Sequence, residues 1–120
     1  MKWNSIKLVL VIFIGVLFII QFYQPARNLD KNILTPLHIS ETMDVPVNVM
    51  QILKSSCFDC HSNNTNYPWY SYIQPVRSIM ERHIKNGKEN LNFSEFGSYS
   101  RRKQDNKLDR IAKQIKSNEM

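Results

Sequence analysis

Only two cysteines stand among the 120 residues, three positions apart at Cys57 and Cys60. A disulfide between them would close no more than a tiny loop, so the chain has no covalent framework. There is also no sustained alternation of apolar and polar residues that would mark a strand, and no internal repeat. No second Cys-x-x-Cys and no His-x-x-x-His pair is available to complete a closed zinc site. Nor does a small-residue A-x-A signal follow the N-terminal apolar run, as cleavage of a secretory signal would require.

What is present is ordinary in amount and uneven in place. A formal charge of +6, with 42% hydrophobic and 22% charged residues, argues against wholesale disorder. The length suits one small domain. The apolar residues gather in "IKLVLVIFIGVLFIIQFY", where Leu8 to Ile20 contains no polar side chain. With Lys7 able to snorkel and with Trp3 and Tyr23 at interfacial positions, residues 1–27 read as an uncleaved transmembrane anchor contacting the membrane through residues 6–23. Lys2 and Lys7 before the run against Arg27 and Lys31 after it are too even to set the orientation.

The remaining 28–120 form the candidate folded domain, with 28–45 as a tether that carries Pro36 and His38, the histidine expected to be exposed or locally hydrogen-bonded. Asp44 and Pro46 start a helix through "VNVMQILKSS", whose Val45, Val49, Ile52 and Leu53 recur at helical spacing. Pro75 opens a second helix, with Val76, Ile79, Met80, His83 and Ile84 on one face and Asn86-Gly87 as its stop. Phe93 and Phe96 of "LNFSEF" anchor a compact segment, and a third helix covers about 101–117 with a stripe of Leu108, Ile111, Ala112 and Ile115. The expected fold is all-α.

The chemistry lies in Cys57, Cys60 and His61, a Cys-x-x-Cys-His. Chance is a poor explanation for that arrangement. A thioredoxin-like dithiol needs a βαβ setting with its first cysteine at a helix N-terminus, whereas here a helix precedes the motif. Zinc would have to recruit His38 and His83 from distant places. Covalent attachment of one haem c accounts for every part: the two thiols reach the two vinyl groups, and His61 becomes the proximal iron ligand. Attachment of that kind is made outside the cytoplasm, which puts the domain on the periplasmic side of the inner membrane. Bound haem would also add apolar area to a domain with little stability to spare.

The runs "QFYQPARN", "CFDCHSNNTNYPWYSYIQPV" and "HIKNGKENLNFSEF" together resemble the small haem-binding domain family of Bacteroidetes and related bacteria, over about Gln21 to Met120. The resemblance implies a cytochrome c-like helical domain around one Cys-x-x-Cys-His. It also implies a Glu-Met-Pro segment and a closing helix, where this chain ends at "NEM"; the sequence therefore reads as truncated, with Met120 in the place of a distal iron ligand. His83 is the alternative ligand, Met80 a weaker one, and a five-coordinate iron the fourth possibility. Trp69, in the aromatic group Tyr67, Trp69, Tyr70 and Tyr72, is expected to pack on the porphyrin.

Seven basic residues against two acidic ones between Arg101 and Lys116 form either a solvated helix face or a dock for an acidic redox partner. Nucleic acid is not an expected partner. The leading expectation is a mono-haem single-electron carrier and not an enzyme. Its rivals are a haem-based sensor, small-molecule binder or weak peroxidase with an open distal site, and a zinc or dithiol interaction module without haem.

Overall fold

The computed structural model describes residues 3–30 and 35–118, with no strand among them beyond one isolated bridge, Leu29 with Asn64. Six α-helices follow in order: α1 Trp3–Ile20, α2 Ile39–Thr42, α3 Val47–Ser56, α4 Phe58–His61, α5 Val76–Asn90 and α6 Arg101–Lys116. Two 3-10 segments, Trp69–Tyr72 and Phe93–Ser98, lie before α5 and before α6. The all-α expectation agrees with this architecture. The chain divides into two compact units, one of residues 1–27 and 66–83, the other of 28–65 and 84–120. In this division residues 66–83 group with the N-terminal segment and not with 28–65.

The transmembrane element of the expected fold is corrected. Among the described residues no helix is long and apolar enough to cross a membrane. Eighteen residues of α1 rise about 27 Å, and its uninterrupted apolar part, Leu8 to Ile20, only about 20 Å, against a hydrocarbon core of about 30 Å. Asn4, Ser5 and Lys7 occupy the first turns and supply no apolar length.

Unit 1 is held at the end of α1 by a reciprocal pair of glutamines. The Gln21 side chain donates to the Gln74 carbonyl at 3.2 Å and accepts from the Gln74 amide at 3.0 Å. Buried Gln74 in turn accepts from the Ser78 hydroxyl at 2.7 Å. Arg77 donates to the Pro25 carbonyl at 2.6 Å, and the Arg27 guanidinium lies 3.6 Å from the Tyr72 ring centroid. The stretches "QFYQPARN" and "YIQPVR" are thus joined to each other by hydrogen bonds and by cation–π contact.

Unit 2 has the hydrophobic core. Ile39, Leu91, Phe93 and Phe96 are buried, with Val45, Met50, Leu53, Phe58, Tyr99, Leu108 and Ile111 packed against them. Phe58, Phe93, Phe96 and Tyr99 form a chain of ring contacts with centroids 5.4 to 6.4 Å apart. The expected α3 and α6 stripes are therefore half right. Val49, Ile52, Ala112 and Ile115 stay exposed, because short helices against a small aromatic core bury only a narrow strip.

Three local expectations change. Pro46, not Asp44, precedes α3 at its N-cap position, so no side chain caps that helix. In the expected tether, Ile39 is a core residue, and residues 28–30 pair with 63–65 through Asp30 N–H to Asn63 O and Thr65 N–H to Asn28 O, both 3.0 Å. Helix α5 runs through Asn86-Gly87 to Asn90, since glycine there serves a close approach and not a stop.

Candidate functional site

The Cys-x-x-Cys-His segment is a single turn attached to the end of α3. Cys57 closes α3 through its N–H to Leu53 O at 2.9 Å and opens α4, its own carbonyl accepting from His61 N–H at 3.0 Å. Four residues per turn put Cys57 and His61 on one side and Phe58 on another. Phe58 enters the core, where its ring meets His38 and Phe93 at 5.5 and 5.4 Å. Cys57 and His61 are half-buried, and Cys60 is exposed.

His61 is oriented from the far side of the sequence. Its Nδ1 lies 3.0 Å from the Leu91 carbonyl oxygen, thirty residues away. A carbonyl can only accept, so Nδ1 carries the proton and Nε2 is left with its lone pair free for a metal. The Leu91–Phe93 turn that presents this carbonyl is itself fixed. Asn92 N–H donates to the Tyr99 hydroxyl at 3.0 Å, and the Asn92 side chain accepts from Ser94 N–H at 3.0 Å and donates to Asn63 at 2.8 Å. An edge contact with Phe93, centroids 6.4 Å apart, limits the imidazole from another side.

Gly87 gives α5 its close approach to the motif. A Cβ at this position would stand 2.6 Å from the Cys60 carbonyl oxygen and 3.5 Å from His61 Cε1. Beside the turn opens a cleft of about 340 Å³, lined by Cys57, His61, Gly87, Asn90, Leu91 and Phe93 on one part and by Lys107, Arg110, Ile111 and Gln114 of α6 on another. That volume is in the range of small-molecule and cofactor sites.

Both thiols are pushed toward the protonated form. Burial raises the Cys57 pKa, with the neighbouring Cys60 adding to it; desolvation also raises that of Cys60, helped by the Asp59 carboxylate. A redox-active dithiol needs the opposite shift. No group of three or more His, Cys, Asp or Glu that could hold a metal ion stands among the described residues, and His38 is committed elsewhere. It is buried, and its Nδ1 accepts from Ser40 N–H at 3.2 Å at the start of α2. The local hydrogen bond was legible in the sequence; the burial was not.

Trp69, His83 and Met80 are not among the described residues that line this cleft. Trp69 is 76% exposed, with its ring edge against Tyr70, and belongs to unit 1. His83 is exposed and Met80 half-buried, both also in unit 1. Met120 lies outside the described residues. Sequence reasoning missed Gly87, Leu91 and the cleft-facing pair Lys107 and Arg110. The spacing 107, 110, 111, 114 was a readable signal, being one helical stripe adjacent to the apolar one.

A family model described as a haem-binding domain matches residues 15–120, nearly the whole chain. No curated protein matches it, and no solved structure matches it.

Proposed function

The chain belongs to the haem-binding domain family, and we propose that it holds one haem c through thioethers to Cys57 and Cys60, with His61 as iron ligand. The observation that carries this reading is the His61 Nδ1 to Leu91 O hydrogen bond at 3.0 Å, made by a histidine on the wall of a cleft it shares with Cys57. The residues present fit such a group. Cys57 and Cys60 lie on one turn, Gly87 leaves a hollow where a side chain would clash, and Leu91, Phe93 and Ile111 offer apolar lining.

When bound, the haem supplies one-electron chemistry at iron. The protein's own contribution is placement and tuning. The Leu91 carbonyl holds the imidazole in one tautomer and raises its basicity toward a metal. Apolar lining lowers the local dielectric, and the raised thiol pKa values keep both sulfurs protonated until they react. We read the protein as an electron carrier and not an enzyme, working outside the cytoplasm with an unidentified redox protein as partner.

The test is a denaturing gel stained for haem, comparing wild type with Cys57→Ala/Cys60→Ala, both produced with c-type maturation. Covalent haem gives a stained band in wild type alone. An unstained wild-type band would sink the thioether assignment.

A second reading has support from the cleft itself. Among the described lining residues His61 is the one imidazole, and no methionine accompanies it. An iron held only by His61 would leave a position for a small ligand, so that the domain would bind diatomic gases. Rapid uptake of carbon monoxide by the reduced protein favours this reading; a six-coordinate, inert iron removes it.

A further inference from the structure

Helix α6 carries most of the domain's excess positive charge, yet its cations are not equivalent. Half-buried Lys107 and exposed Arg110 line the cleft, in one stripe with Ile111 and Gln114, whereas Arg101, Arg102, Lys103, Lys113 and Lys116, also exposed, are not among its lining residues. Among the described residues no aspartate or glutamate lines the cleft with the pair. The two ion pairs among the described residues, Lys85–Glu89 and Lys113–Asp109, engage neither residue. Among the described residues Lys107 reaches neutral groups, the Asn90 carbonyl and the Tyr99 ring at 5.0 Å. Desolvation, and after it the nearby charges of Lys103 and Arg110, lower its pKa.

Two cations beside an apolar cleft suit an apolar molecule with a dianionic edge. Haem is such a molecule: its vinyl groups occupy one edge and its two propionates the opposite one. We infer that Lys107 and Arg110 receive the two propionates, at the porphyrin edge opposite the one taken by Cys57 and Cys60. This assignment rests on the haem reading above and extends it to residues on a different helix. It also divides the basic helix into a stripe that binds cofactor and a face that meets solvent. Carboxylates in a partly desolvated cleft gain charge-assisted hydrogen bonds from both donors, Arg110 offering a planar fork and Lys107 a point charge.

The experiment uses the full chain produced without c-type maturation, its thiols kept reduced, and titrates it with hemin and with hemin dimethyl ester. In the ester both carboxylates are neutral while the ring and vinyl groups are unchanged. Wild type is expected to prefer hemin by about tenfold or more, the scale of one charge-assisted hydrogen bond in a half-open site. Arg110→Gln and Lys107→Gln should each reduce that preference severalfold without weakening ester binding. Lys116→Gln removes the same charge from the exposed part of α6 and should leave the preference intact, while circular dichroism verifies the helix content of all variants.

Equal affinity of wild type for hemin and its ester overturns the assignment and leaves the haem reading standing. So does an effect of Lys116→Gln as large as that of Arg110→Gln, which would mean that only net charge is felt. Failure of hemin and ester alike to bind any form removes this assignment, while the haem reading stands or falls on the stained gel.

Discussion

His61 and Leu91 are joined by a 3.0 Å hydrogen bond from an imidazole nitrogen to a backbone carbonyl, and this bond decides which nitrogen faces a metal. Because the acceptor is backbone, its position depends on the neighbours that hold the Leu91–Phe93 turn. Tyr99→Phe removes the hydroxyl that accepts from buried Asn92 N–H. Leaving that donor unpaired should cost about 1–3 kcal/mol in a urea titration. In the haem-loaded protein the variant should also shift the midpoint potential. An unchanged stability would mean that the Tyr99 hydroxyl does not position the turn.

Gly87→Ala tests the contact between α5 and the motif. Its Cβ would sit 2.6 Å from the Cys60 carbonyl oxygen, and the turn and the helix must separate. Destabilisation of about 1–3 kcal/mol is expected despite alanine's better helix propensity, together with reduced haem incorporation. Gly15→Ala is the matched control, since nothing lies within 4 Å of its added Cβ. That change should be neutral or stabilising by up to about 1 kcal/mol.

Phe96 is completely buried between Phe93 and Tyr99. Phe96→Ala should cost about 3–5 kcal/mol, a large part of what a domain of this size possesses. Chemical denaturation of the haem-free chain should find the variant largely unfolded. A full, cooperative transition at the wild-type midpoint would contradict the core described above.

His38 should make stability depend on pH. Burial lowers its pKa below the ordinary value near 6.5, although Glu41 pulls the other way. The unfolded chain then takes up a proton that the folded chain refuses. Stability is present above about pH 6.5 and declines as pH falls from there toward the lowered folded pKa. His38→Asn can keep the acceptor for Ser40 N–H and removes the titration, so its urea midpoint should vary less between pH 7.5 and 5.5. Parallel pH profiles for both proteins would exclude His38 as the source.

The raised thiol pKa values predict sluggish alkylation. In the haem-free reduced chain, Cys57 and Cys60 should react with iodoacetamide at pH 7 more slowly than the same motif in an unfolded peptide. Faster reaction would instead indicate an activated dithiol.

The motif was fully legible in the sequence, because Cys57, Cys60 and His61 are local neighbours whose chemistry depends on spacing. Helices α3, α5 and α6 were legible too, apart from details that depend on what they touch, whereas the four-residue α2 and α4 were not. The α5 stop at Gly87 failed because a glycine can signal either a terminus or a close approach, and only the Cys60 carbonyl distinguishes them. His83 was expected on an apolar face, but Ile84 alone of α5 is fully buried, and a one-residue rotation moves the histidine to solvent. The N-terminal helix misled through its uniform apolarity, which length alone corrects. Lys107 and Arg110 were visible as charge but not as lining, because the cleft depends on Leu91 and Phe93, which precede α6.

The turn that bears the two thiols closes on hydrogen bonds that reach back no further than Leu53. Everything that surrounds it on the cleft side, from Gly87 to Gln114, comes later in the chain. A polypeptide delivered N-terminus first therefore presents Cys57, Cys60 and His61 in helical order while their enclosure has still to arrive. The chronology of assembly is written into the order of residues: the reactive segment first, its walls afterwards.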